Sequence, residues 1–177
     1  MVEEVSIPYI THSMYALGII VWCEGAALNR HWLESKGDLL QQSTRLGFMA
    51  ASLLPAKAYL VARQAQAFIR SQVLRTFQKY DLLLSPTFPK LPHKIDDALK
   101  TVNFPSKEDV LKRHTDGHLG FAPLAGCPAI SVPCGFSHSG LPIGLQIIGR
   151  PFEDSLVLRA AHAYEKSTLW HTRHPNL

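Results

Sequence analysis

The 177-residue chain carries a formal charge of +4, with 46% apolar and 18% charged residues. That length supports one domain with a real core, and the composition is that of an ordinary globular protein, neither disordered nor basic enough to call for nucleic acid. The three cysteines, Cys23, Cys127 and Cys134, include no CxxC pair, which excludes a disulfide framework and a structural zinc site as readings.

Glu3 and Glu4 stand where a signal peptide needs positive charge. Tyr15 to Cys23 is apolar but too short to span a bilayer, and Glu24 closes it. A cytoplasmic protein with free thiols and no membrane contact is expected. Val2 to Ile7 reads as a short strand stopped by Pro8. Thr11 to about Trp32 reads as a helix, with Met14, Leu17, Ile20 and Val21 on one stripe. Gly37 and Asp38 break the pattern. Leu39 to Leu53 reads as a second helix, weakened by Gly47.

Pro55 suits a first helical turn. After it, Ala58, Val61, Ala65, Phe68, Ile69, Val73 and Phe77 recur at helical spacing. Asp81 to Ser85 is a leucine run bounded by Pro86, as a fully buried strand would be. Lys90 to about Gly120 predicts a surface excursion with a short helix from Ser106 to Arg113. Ala129 to Cys134 and Ile143 to Ile148 read as the two strands of a hairpin, joined by "GFSHSGLP". Asp154 is placed to cap a last helix through Leu158, Ala161, His162 and Glu165 to Lys166.

The hairpin tip imitates a nucleophile elbow. "GFSHSG" has Ser139 where G-x-S-x-G needs a second glycine, and no strand-to-helix turn follows, so a solvated turn is the reading. Cys134 falls within a strand and reads as core. Cys127 opens the strand after "FAPLAG"; as a nucleophile it would need a base such as His114 or His118 brought near it. His114, Asp116 and His118 in "HTDGH" are spaced like metal ligands, but Gly117 argues against one helical face, and no metal is assigned. Glu24, among apolar residues, reads as a buried carboxylate with a hydrogen-bonded structural role. Lys57, Arg63, Arg70, Arg75 and Lys79 share one helix without an acidic neighbour. A solvated face is preferred there over a transfer-RNA contact, with Phe68 and Phe77 committed to the apolar stripe.

"YDLLLSPTFP", from Tyr80 to Pro89, and "LAGCPAISVPCGFSHSGLPIGLQIIGRPFEDSLVLRAAHAYE", from Leu124 to Glu165, resemble the C-terminal part of the amidase signature family. "AKAYLVARQAQAFIR" and the opening "VEEVSIP" fit the family's order. That family includes amide hydrolases and the A subunit of glutamyl-tRNA amidotransferase. The resemblance implies an α/β fold, a mixed sheet flanked by helices. It also implies a chemistry that cleaves or transfers a carboxamide C–N bond through two serines and a lysine, with no cofactor. Those serines sit in a Gly/Ser-rich signature of the family's N-terminal half. This chain has no Ser-Ser pair and no Gly/Ser-rich stretch, so no position inherits a catalytic role.

Residues 1–177 are therefore expected to form a single domain, the C-terminal portion of an amidase-signature protein without the N-terminal catalytic half. Such a chain would be inactive alone. It would need an N-terminal amidase half or self-association, with a small amide substrate only when complemented. What the resemblance carries over is part of a substrate-pocket wall: Pro86, Thr87, Phe121, Pro123 and Cys127, with Pro123 standing where the family has Asn. The alternative for these residues is that they pack the loop. For the protein as a whole the alternative is a non-catalytic binding or interaction module derived from an amidase, and a cysteine-dependent hydrolase is the third reading.

Overall fold

The structure, a computed structural model, describes residues 2–92, 94–96 and 119–173. His114, Asp116 and His118, and the helix expected from Ser106 to Arg113, lie outside them.

Val2 to Ile7 has no regular secondary structure and joins no ladder among the described residues, where the sequence predicted a strand; only Ile7 of this stretch is buried. A single 3₁₀ turn, Ile10–His12, leads into α1 (Ser13–Leu28). The one helix expected to Trp32 is two. Asn29 leaves helical geometry, its side-chain amide donates to Gly25 O at 2.8 Å, and α2 (Arg30–Lys36) follows. Asn competes for backbone partners in this way and favours helix ends. Next come α3 (Gln42–Ser52) and the long α4 (Ala56–Thr76). Pro55 stands just outside α4 in an extended conformation, where its carbonyl accepts from Ala58 N.

The buried stripe of α4 is Ala62, Ile69, Val73 and, one residue past its end, Phe77. Val61 and Phe68, expected in that stripe, are 53% and 48% exposed. Ala62 takes an inward position, in the same core cluster as Ala16 and Ile20 of α1, against which α4 packs. Phe68 instead meets Tyr9 edge to face, ring centroids 5.4 Å apart.

The architecture is α/β, a sheet flanked by helices. β1 (Leu83–Pro86), β2 (Ala129–Phe136) and β3 (Pro142–Ile148) form that sheet in the order β1-β3-β2. Of the mixed sheet the family implies, the described strands supply antiparallel pairs, and the β2–β3 hairpin dictates that sense for its own pair. Among the described residues β1 is an edge strand with an alternating pattern, Leu83 buried and Leu84 half exposed, rather than the fully buried strand its leucines suggest. Helices cover both faces. Leu83 and Ile148 point into the main core with Ile20, Ile69, Val73, Phe77 and Leu124. Val132 and Ile147 point the other way, onto Ala161 of a long C-terminal helix (Asp154–Ser167), numbered α6 after the short α5 (Phe121–Ala125). Glu153, not Asp154, precedes α6, and neither side chain caps it; Asp154 lies in its first turn, where a negative charge meets the helix dipole favourably.

Candidate functional site

The short helix α5 positions the loop from which three pocket residues were expected. It ends on Gly126 at φ 68°, a left-handed position that glycine occupies without strain. The Arg70 guanidinium donates to Ala125 O, and Gln66 Nε2 donates to Leu124 O at 3.0 Å. Two residues of α4 thus satisfy the carbonyls that a helix end leaves open. Arg70 accordingly belongs to the fold rather than to a free basic face.

This anchoring fixes what the loop residues can touch. Phe121 is 3% exposed and Cys127 9%, both inside the main core. Burial pushes the Cys127 thiol up to about 11, against a lesser downward pull from Arg70. A thiol that keeps its proton at neutral pH is a poor nucleophile. Pro123 is exposed and lines a depression of about 340 Å³ with Arg63, Gln66, Ala67 and Arg70. Pro86 is exposed on the β1 edge opposite Leu145. Thr87 lies elsewhere again, in a groove of about 610 Å³. The five residues expected to share one wall thus occupy four places among the described residues: the core, the α4–α5 depression, the β1 edge and the groove beside Thr87.

The groove beside Thr87 is the best-furnished of these. The Thr87–Pro92 segment forms one wall; Ser131, Pro133, Pro142, Ile143 and Gly144 form the other. Thr87 N donates to Gly144 O at 2.8 Å, which continues the β1–β3 ladder by one residue. Thr87 Oγ1 and Ser131 Oγ lie 2.6 Å apart, joined across the middle strand. They meet because the residue beneath them is glycine: a Cβ on Gly144 would stand 2.7 Å from Thr87 Oγ1 and 2.9 Å from Ser131 Oγ. Farther along the same face Ser85 Oγ donates to Gln146 Oε1 at 3.1 Å. Sequence reading assigned no site role to Ser131, Gly144 or Gln146. The period of two in each strand held the signal, but the register that sets Ser131 beside Gln146 is a tertiary fact.

The remaining expected chemistry resolves into structural roles. Glu24 is exposed rather than buried; it accepts from Tyr59 Oη at 2.7 Å and pairs with Arg63 at 3.5 Å. That hydrogen bond is the main reason the Tyr59 phenol sits above its ordinary pKa. At the hairpin tip Ser137 Oγ accepts from Leu141 N and lies 2.9 Å from Ser139 Oγ. Cys134 falls at the register shift between Pro133 and Gly135 and is half-buried rather than core. Among the described residues no group of three His, Cys, Asp or Glu could hold a metal ion, and no helix is long and apolar enough to cross a membrane.

Comparison with known proteins gives this geometry its family. The chain is 41% identical over 145 residues to the A subunit of glutamyl-tRNA(Gln) amidotransferase from Listeria welshimeri, covering 81% of this chain and 28% of that protein. It is 34% identical to the corresponding protein of Methanosarcina mazei, covering 98% of this chain and 40% of that one. Among solved structures it superposes on the A subunit of the Thermotoga maritima amidotransferase with a TM-score of 0.69 at 31% identity, covering 93% of this chain and 34% of the other. The chain therefore spans well under half the length of these relatives. A family model described as Amidase matches residues 1–158, the helices, the sheet and the start of α6 alike, and the chain belongs to that family.

Proposed function

We propose that this chain supplies the scaffold and part of the substrate wall of a protein that hydrolyses or transfers a carboxamide, with the nucleophile and its base supplied by a complementing amidase segment. The observation that carries the reading is a mismatch of coverage and chemistry. The family match runs over residues 1–158, yet the sequence contains no adjacent serines. The hydroxyls of Ser85, Ser131, Ser137 and Ser139 bond neutral side chains, and none of these bonds reaches a lysine or histidine. A serine without a base stays a weak nucleophile.

In this reading Thr87 faces substrate, with Pro86 fixing the strand that carries it. Phe121, Pro123 and Cys127 act from behind, holding α5 and the start of β2 in place. Residues 1–177 then act as one unit, and their partner is the complementing segment or a second copy.

The test is release of ammonia from glutamine or asparagine, and of aryl amine from simple anilides, by the purified chain with and without a separately expressed N-terminal half of a related amidase. No turnover is expected from the chain alone. Where the two halves together are active, Ser137→Ala and Ser139→Ala should leave the rate unchanged. Turnover by the chain alone, lost on replacing one of its serines or Cys127, would overturn the scaffold reading. A non-catalytic binding module is the second reading, favoured by the furnished groove beside Thr87, and a small ligand retained through purification without a complementing half would support it.

A further inference from the structure

The α4–α5 depression holds charge that the amide chemistry does not use. Arg63, Gln66, Ala67 and Arg70 stand at i, i+3, i+4 and i+7, so they share one face of α4 with the two arginines two turns apart. Pro123, Leu124 and Gly126, at the end of α5, line the other side of a space of about 340 Å³. Gln66 is turned onto Leu124 O. Ala67, between the arginines, is too short to fill the gap. Gly126 keeps the far side open: a Cβ there would stand 2.8 Å from Arg70 Nη1.

This frame leaves both guanidiniums with donors and charge to spare. Arg70 spends one N–H on Ala125 O, and among the described residues nothing else claims its remaining donors. Arg63 meets Glu24 at 3.5 Å with the two side chains 50% and 47% exposed, a pair of little strength in water. Glu24 does not line the depression, and α4 carries Lys57, Arg63, Arg70 and Arg75 with no acidic residue among them. Geometry then selects the anion. A carboxylate has two oxygens, which a single guanidinium fork saturates. A grip from two forks calls for a tetrahedral anion with more oxygens to offer. A phosphate monoester has three free oxygens and about −1.5 to −2 charge at pH 7, which matches two arginines.

We propose that the α4–α5 depression binds a phosphate group, free or as a small monoester, clamped between Arg63 and Arg70. Ala67, Pro123 and Leu124 flank the clamp with apolar surface on which the organic group of an ester rests. The site is separate from the groove beside Thr87 and does not depend on the amide-handling reading, so either stands or falls without the other.

The experiment follows the arginine Nε–H cross-peaks of the 177-residue chain by two-dimensional NMR. Inorganic phosphate, phenyl phosphate and benzoate are titrated at constant ionic strength. The Arg63 and Arg70 signals should move together and saturate with phosphate and phenyl phosphate. Each should bind about tenfold more tightly than benzoate, the discrimination of one charge-assisted hydrogen bond. Equal affinity for the two would identify the free ion as the ligand, and tighter binding of phenyl phosphate a small phosphorylated molecule. Arg63→Gln, at an exposed position, should weaken binding by about tenfold or more. Ala67→Glu should abolish it by setting a carboxylate one turn from each arginine. Arg75→Gln, on the same helix but outside the depression, should change it by less than about twofold, since its charge is screened there. Far-ultraviolet circular dichroism of each variant separates loss of binding from loss of fold. Equal binding of phenyl phosphate and benzoate, or equal losses from Arg63→Gln and Arg75→Gln, would reduce the feature to a diffuse basic face and overturn the proposal.

Discussion

Cys127 shows how burial decides the fate of a reactive residue type. Its thiol lies in the main core and is pushed up to about 11, chiefly by desolvation. Cys134, at the bulge of β2, is half-buried, and Cys23 is likewise intermediate. A pocket-facing Cys127 would react with a small thiol reagent before Cys134; the structure sets the opposite order. In the native state Cys134 and Cys23 should be labelled first, with Cys127 protected until unfolding, as mass spectrometry of timed labelling would show. The same shift links stability to pH. The folded thiol holds its proton more tightly than the unfolded one, whose ordinary value is about 8.5. The stability this gives is therefore complete below that value and is lost as pH rises toward about 11. Denaturant midpoints should fall across this alkaline window, and Cys127→Ala should flatten the decline. Arg150 is the other residue whose loss should be felt widely. Its guanidinium donates to Phe77 O at 2.9 and 3.0 Å and to Tyr80 O at 3.1 Å, and pairs with Asp81 and Glu153. It ties the end of α4 to the turn before α6. Arg150→Ala should cost about 2–3 kcal/mol in urea unfolding, and Arg150→Lys should recover only part, because an ammonium cannot reproduce the planar fork.

At the scale of elements, the α1–α3 contact depends on two glycines. A Cβ on Gly47 would run into the Trp22 ring, and one on Gly25 would meet the Phe48 ring at 2.9 Å. Each helix presents a glycine to an aromatic of the other, and the two rings meet edge to face at 5.6 Å. By helix propensity alone, Gly47→Ala would stabilise α3 by about 1 kcal/mol. Overpacking against Trp22 should reverse the sign, for a net loss of about 1–2 kcal/mol, the scale of a forced side-chain shift in a packed contact. Thermal unfolding of Gly47→Ala beside Gly37→Ala makes the comparison, since the nearest atom to a Cβ at Gly37 is the flexible Arg45 side chain at 3.7 Å. The sheet shows a related economy. Both outer strands carry proline, Pro86 in β1 and Pro133 in β2, and proline cannot donate to a further strand at those positions.

At the scale of the whole molecule, α1 is apolar on nearly every side, yet its buried positions are Ser13, Ala16, Ile20 and Ala26. Val21 and Trp22 remain 54% and 39% exposed, and across the groove α3 shows Leu46 and Met49, each 51% exposed. Between the two helices runs an apolar groove of about 330 Å³ lined by Tyr15, Ile19, Trp22, Ala50 and Leu54. A helix that is apolar all round belongs inside a larger structure, and uncovered patches of this kind drive association. The chain by itself should self-associate or require a partner. Sedimentation across a concentration series checks this; a monodisperse monomer at high concentration with one cooperative unfolding transition would contradict it. Val21→Glu and Met49→Glu, both on the exposed surface, should shift the equilibrium toward monomer without unfolding the core.

The sequence by itself determined the elements whose signal is local. The period of α4, the hairpin around "GFSHSGLP" and the α6 segment all stand in the structure, and the family resemblance they carry is met by the Amidase match. Failure of the elbow at Ser139 was also legible, because a motif's spacing is local. Tertiary structure decided what depends on a second element. The inward stripe of α4 runs through Ala62 rather than Val61 and Phe68, because which face is buried depends on where a second element, α1, packs against it. Glu24 moved from a supposed interior to a surface bond with Tyr59, thirty-five residues away. Most of all, the groove at Thr87 and Ser131 exists only through register. Strand alternation gives each side chain a face, but only the pairing of β1 and β2 onto β3 sets two distant hydroxyls over one glycine.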